Sequence, residues 1–275
     1  MGIEHLFGIL ETADLWTTLG KRQVEDALQR ISQLGSAEEG KPAGKRLEEI
    51  KLIGEILQTL SAKPKSKKRK AEKRAESVCR KTLVTLLEGD ATTNRKPDKS
   101  RKIRLESLKV LAAQKVRAYG PLFLKVAYTD HSNEVRVAAV QVLVDLEYSQ
   151  ALPCFHCWIS AGWQMQKSVR LRMAVIKALS TLGDAGSIDE LEGVLENEKS
   201  TGSEKQAAME SLSALRTRLG QEEAVQPVIG IGGKPSGAGN GRDCAHYVRM
   251  NGANRRAGAN AHGTNTIGRR ILFKV

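Results

Sequence analysis

The residues best suited to chemistry form one dense string. Lys67, Lys68, Arg69 and Lys70 stand consecutively, flanked by Lys63, Lys65, Lys73 and Arg74. Clustered cations of this kind release counterions on meeting phosphates, giving salt-sensitive, sequence-independent affinity. No aromatic residue interleaves the string, so stacking on bases is unsupported. The same composition also fits a nuclear-import peptide, or a solvated linker whose charges keep it out of any core. All three readings stay open on the sequence. Lys67, Lys68, Arg69, Lys70, Lys73 and Arg74 are the candidate residues for binding nucleic acid or another polyanion.

The remaining constellations are weaker. Cys154 and Cys157, one helical turn apart, combine with Cys244 and His246 to make a tetrahedral set for zinc. The second pair lies far along the chain in a glycine-rich stretch, and small buried thiols explain the first pair equally well, so no metal is expected. Gly230-Ile-Gly-Gly-Lys-Pro-Ser236 has the glycines of a phosphate loop, but Pro235 occupies the place where Ser or Thr must follow the lysine. No nucleophile and base stand at a diagnostic spacing. No catalytic residue and no cofactor are expected.

Charge is local. The net charge of +13 is matched by residues 63–117 alone, where 19 basic side chains face 6 acidic ones. Residues 118–220 carry 10 basic and 12 acidic side chains, so most of the chain is nearly balanced.

The elements that must hold these residues read as helices. Leu47, Ile50, Ile53, Ile56, Leu57 and Leu60 make one apolar stripe over 44–61, and helical spacing also marks 3–19 and 21–34. Beyond the basic string, helices are expected in pairs: 76–89 with 100–115, 120–129 with 133–147, 151–163 with 168–182, and 187–198 with 203–217. Gly89 closes the first of these, Pro121 and Pro153 sit in first turns, and Ser187 is the candidate N-cap of its helix. The second helix of each pair opens on a recurrent phrase, a basic residue followed by a small or aliphatic stripe. Its basic residue falls at Arg104, Arg136, Arg172 and Lys205, at intervals of 32, 36 and 33 residues. A period of this size marks units that bury their apolar faces only by stacking on neighbours.

The phrase Thr129-Asp-His-Ser-Asn-Glu-Val-Arg136 followed by Ala138, Ala139 and Leu143 resembles a HEAT repeat, and Val169-Arg-Leu-Arg-Met-Ala174 and Ile103-Arg104 are similar. The resemblance covers residues 76–217. It implies an all-α solenoid of stacked antiparallel helix pairs. It also implies that Arg104, Asp130, Arg136 and Arg172 form a structural ladder of hydrogen bonds along the turns. The ladder is expected to be incomplete, because Gln166-Lys167-Ser168 stands where an Asp should precede Arg172. Some HEAT-like proteins are DNA glycosylases that remove alkylated purines, and Trp158 and Trp163 ahead of Arg170 and Arg172 resemble their pattern. The near-neutral charge of 118–220 speaks against that reading, and inter-unit packing is the simpler role for the tryptophans. An iron-dependent hydroxylase of this architecture carries His-Glu pairs, and none of the five histidines is followed by Glu.

The expected organisation is a helical cap (1–61), a basic linker (62–75), the repeat array (76–219) and a disordered, glycine-rich basic tail (220–275). The expected function is a non-catalytic adaptor holding a protein partner on its concave helical surface. The alternative is a nucleic-acid-associated protein using 63–104, with or without base excision. No secretory signal is visible and no apolar run approaches a membrane span. An intracellular, cytoplasmic chain with no membrane partner is expected, or a nuclear one if the basic string is an import signal.

Overall fold

Alanine, leucine, valine and isoleucine at three- and four-residue steps build helices here. The computed structural model describes residues 43–62, 70–92, 96–160 and 168–220, with the isolated positions 29, 31, 32, 64, 66 and 94. The expectations for 3–19, for most of 21–34 and for the tail beyond 220 lie outside the described residues. Among those described the protein is all-α, with nine helices and no strand. They are α1 (Ala43–Ala62), α2 (Lys70–Glu88), α3 (Arg101–Ala113), α4 (Gly120–Thr129), α5 (Asn133–Asp145), α6 (Leu152–Ser160), α7 (Val169–Leu182), α8 (Gly186–Glu196) and α9 (Gly202–Arg218).

Consecutive helices pack as pairs: α2 with α3, α4 with α5, α6 with α7, and α8 with α9. The second members also pack on one another in order, α3 on α5, α5 on α7 and α7 on α9, and α1 joins this second row by packing on α3. In the first row α2 contacts α4, and α6 contacts α8. The helix assigned from sequence to a cap is thus continuous with the second row. Its stripe of Ile50, Ile53, Ile56, Leu57 and Leu60 is fully buried. Burial of each such side chain stabilises by about 1.5–3 kcal/mol.

Two boundaries differ from the sequence reading. Helix α2 opens at Lys70 rather than 76, inside the stretch assigned to the basic linker, and it buries Glu72 and Ala75. A run of lysines around one small alanine hides the periodicity that an apolar stripe would show. Ser187 is not the N-cap of α8. That position belongs to Ala185, and Ser187 sits buried inside the first turn.

Helix ends follow local chemistry. Gly89 ends α2 at φ 77°, a left-handed conformation that glycine adopts without Cβ strain. Gly120 opens α4 directly under the Tyr148 ring, where a Cβ would come within 2.2 Å of Cε2. The second-row helices α3, α5, α7 and α9 all begin after Ser or Thr: Ser100, Ser132, Ser168 and Thr201. The first-row helices α4 and α8 have Tyr119 and Ala185 there instead, with no side-chain cap.

Candidate functional site

The rung residues come together along one edge, where second-row helices start. Arg104, the fourth residue of α3, is buried and grips Asp130 with two bonds, Nε to Oδ2 at 2.7 Å and Nη2 to Oδ1 at 2.8 Å. Its Nη1 donates to the Asp98 carbonyl at 2.6 Å. Bidentate arginine–carboxylate pairs of this geometry are among the strong charge-assisted bonds. Asp130 also accepts the Ser132 backbone N–H at 2.7 Å, so one carboxylate fixes the start of α5 and ties it to the pair before.

The same construction appears where the sequence did not suggest it. Arg46 is the fourth residue of α1 and ion-pairs with Asp98, which accepts the Ser100 N–H at 2.8 Å. At the far end, Arg172 Nε donates to Glu204 Oε1 at 2.5 Å, and Glu204 Oε2 accepts the Thr201 N–H at 2.8 Å. Three carboxylates therefore each hold the N-cap amide of a second-row helix and an arginine from an earlier one.

Arg136 Nε donates to the Ala127 carbonyl at 2.8 Å, inside its own helix pair. Burial lowers its pKa from the ordinary value, an effect opposed by Asp130 and Tyr128. Gln166, where the matching acid was missing, lies outside the described residues. Glu204 is fully buried. Burial alone would raise its carboxyl, but the hydrogen bonds from Arg172 and Thr201 outweigh that and hold it below the usual carboxylate range.

Sequence reasoning missed Arg46, Asp98 and Glu204. Arg46-Leu-Glu-Glu-Ile-Lys-Leu-Ile53 is a close copy of Arg104-Leu-Glu-Ser-Leu-Lys-Val-Leu111, and that likeness was the available signal. The insertion between α1 and α3 breaks the period and concealed it. Glu204 was read as part of the degraded phrase around Lys205, whereas it supplies the acid.

Of the polyanion candidates, Lys67, Lys68 and Arg69 lie outside the described residues. Lys70, Lys73 and Arg74 stand exposed on the first turns of α2. Lys73, Glu76, Ser77, Arg80, Lys81, Val84 and Tyr119 line an open groove of about 640 Å³. Arg80 ion-pairs with Glu76 at 2.6 Å, and no ion pair engages Lys73 or Lys81 among the described residues.

One arrangement has the composition of a hydrolytic triad. His156 Nε2 lies 2.6 Å from Ser187 Oγ, and Asp184 Oδ1 lies 3.2 Å from that oxygen. The geometry is wrong for catalysis. Asp184 approaches Nε2, at 3.9 Å, the same nitrogen that meets the serine, and so does not orient the ring from its other side. Ser187 is fully buried, and its hydroxyl also accepts the Asp184 N–H at 3.1 Å. The cluster ties α6 to the first turn of α8. Burial lowers the His156 pKa, with Asp184 opposing.

Cys154 is buried and Cys157 half-buried, Cys244 and His246 lie outside the described residues, and no set of three or more metal-ligating side chains converges among the described residues. The Cys79 thiol is pushed up to about 12 by burial and is inert. Trp158 is 3% exposed and packs against Tyr128 at 6.0 Å and Phe155 at 5.6 Å, joining α6 to α4. Such a ring offers no open face to a base. Trp163 lies outside the described residues. No described helix is long and apolar enough to cross a membrane. Compared with protein-family models and with curated proteins, the chain matches none.

Proposed function

We propose that the chain is a HEAT-like solenoid that works as a non-catalytic adaptor, holding a protein partner on the concave face built by α1, α3, α5, α7 and α9. One observation carries this reading. Five residues beyond the fourth residue of each second-row helix, Lys51, Lys109, Gln141, Lys177 and Glu210 are all exposed. Neighbouring helices stand roughly 8–10 Å apart, so equivalent positions form a broad line of exposed polar side chains. A solvent-facing position repeated from helix to helix suits recognition, whereas the buried arginine–carboxylate pairs suit cohesion.

A photo-crosslinking residue placed in turn at Lys109, Gln141 and Lys177, and at the first-row positions Thr129, Asp189 and Glu196, tests it in native extract. Adducts concentrated on the second-row positions are expected. Adducts confined to the first row, or none at any position, would sink the adaptor reading.

A second reading draws on Lys73 and Lys81, which no ion pair engages among the described residues: nucleic-acid association through 63–104. It requires duplex binding at low salt that weakens steeply as salt rises and vanishes when Lys67 to Lys70 become Ala. No measurable binding at low salt removes it.

A further inference from the structure

Helix α2 has 19 residues and its first-row neighbour α4 has 10. Nine extra residues amount to about 13 Å of helix. The overhang falls at the amino-terminal end. At the other end Leu86, Leu87 and Glu88 share a cavity with Val126 and Thr129, and Glu88 pairs with Lys125 at 3.1 Å. Tyr119, just before α4, lines one groove with residues from Lys73 to Val84 of α2. A face of α2 that a full-length neighbour would cover is therefore left open as the 640 Å³ groove.

We propose that this groove is a docking site for a short acidic segment of a partner protein, one carrying carboxylates around a single apolar anchor. The charge of the wall calls for an anion. Among the described residues Lys73 and Lys81 have no ion-pair partner, Lys70 stands one turn away without one, and the Arg80 Nε–H is buried with no acceptor. The carbon of the wall calls for more than an anion. Val84, the Tyr119 ring and the aliphatic stems of the lysines give an apolar floor beneath a cationic rim, the pattern that anchors one hydrophobic side chain.

Nucleic acid fits less well. The groove is far too small for a duplex, and its single aromatic residue cannot stack successive bases. The site lies on the first row, away from the second-row face of the adaptor reading, so either can fail alone.

Panning a random dodecapeptide display library against the full chain tests the proposal. Peptides with two or more Asp or Glu around one Leu, Phe or Trp are expected to be enriched. A labelled synthetic peptide of that kind should bind ~10-fold more weakly to a Lys73→Glu, Lys81→Glu variant, with the difference shrinking at high salt. Lys199→Glu, at an exposed position in neither site, should leave its binding unchanged. Both lysines are exposed, so the variant should keep its helical circular dichroism and unfolding midpoint. Failure to enrich any peptide, enrichment without acidic bias, or affinity indifferent to the double reversal would overturn the proposal. So would oligothymidylate binding at least as tightly as the best peptide and lost to the same reversal, which would make the groove a nucleic-acid site.

Discussion

The turns that start α5 and α9 solve one problem with different residues. Before α5, Asp130 stands two residues ahead of the N-cap and reaches forward to the Ser132 N–H and back to Arg104. Before α9, that place is held by Lys199, and the carboxylate comes from inside the helix. Glu204, three residues after the N-cap, reaches back to the Thr201 N–H and across to Arg172. The longer side chain makes up for the different origin. What the fold demands is a carboxylate at a point in space, and two sequence positions can supply it. Glu204 also completes a capping box with Thr201, so the α9 turn is satisfied from both directions.

The largest effect comes from removing an arginine. Arg172→Ala strands a fully buried carboxylate and should cost about 3–5 kcal/mol in urea unfolding, with Arg104→Ala close behind. A loss below about 1 kcal/mol for both would mean that packing, not the rungs, holds the rows together.

Next comes the acid itself. Glu204→Gln should cost about 2 kcal/mol, because a neutral amide leaves the guanidinium uncompensated. If position in space is what matters, adding Lys199→Asp to that variant should restore part of the loss. No recovery would show that the two turns are not equivalent.

The acid limb gives an independent reading. The folded Glu204 carboxyl lies below its ordinary value of 4.5, so the unfolded chain binds the proton first as pH falls. The stabilisation is fully present above that ordinary value and disappears as pH drops through the folded one. Glu204→Gln should flatten the stability profile between those limits, measured by thermal unfolding from neutral to acid.

The caps should differ least. Thr201 Oγ1 accepts the Glu204 N–H, and Thr201→Ala should cost about 1 kcal/mol. Ser132 makes no such side-chain bond, and Ser132→Ala should stay within about 0.5 kcal/mol. Equal losses would erase this distinction between the turns.

Much of the helical content was legible, because Ser or Thr before α3, α5, α7 and α9 and glycine or proline at other ends mark boundaries in local chemistry. Arg104 and Asp130 stood out in the sequence because each belongs to a copy of the recurrent phrase. The Arg46–Asp98 rung was not, because the chain between them defeats a search by period. Glu204 was hidden for another reason: a helix-interior acid looks like solvated surface until the fold aims it. The basic overhang of α2 escaped notice because lysine tracts hide the small residue, Ala75, that goes inside. The candidate groove depends on α4 being short, and relative helix length decides nothing until both helices are placed side by side.

The rungs also impose an order on synthesis. Each arginine precedes its acid along the chain, by 26 residues for Arg104 and 32 for Arg172. At a ribosome's pace that gap is on the order of seconds. During it the arginine has been made and its acid has not. No rung can close before the helix pair that supplies its acid is synthesised.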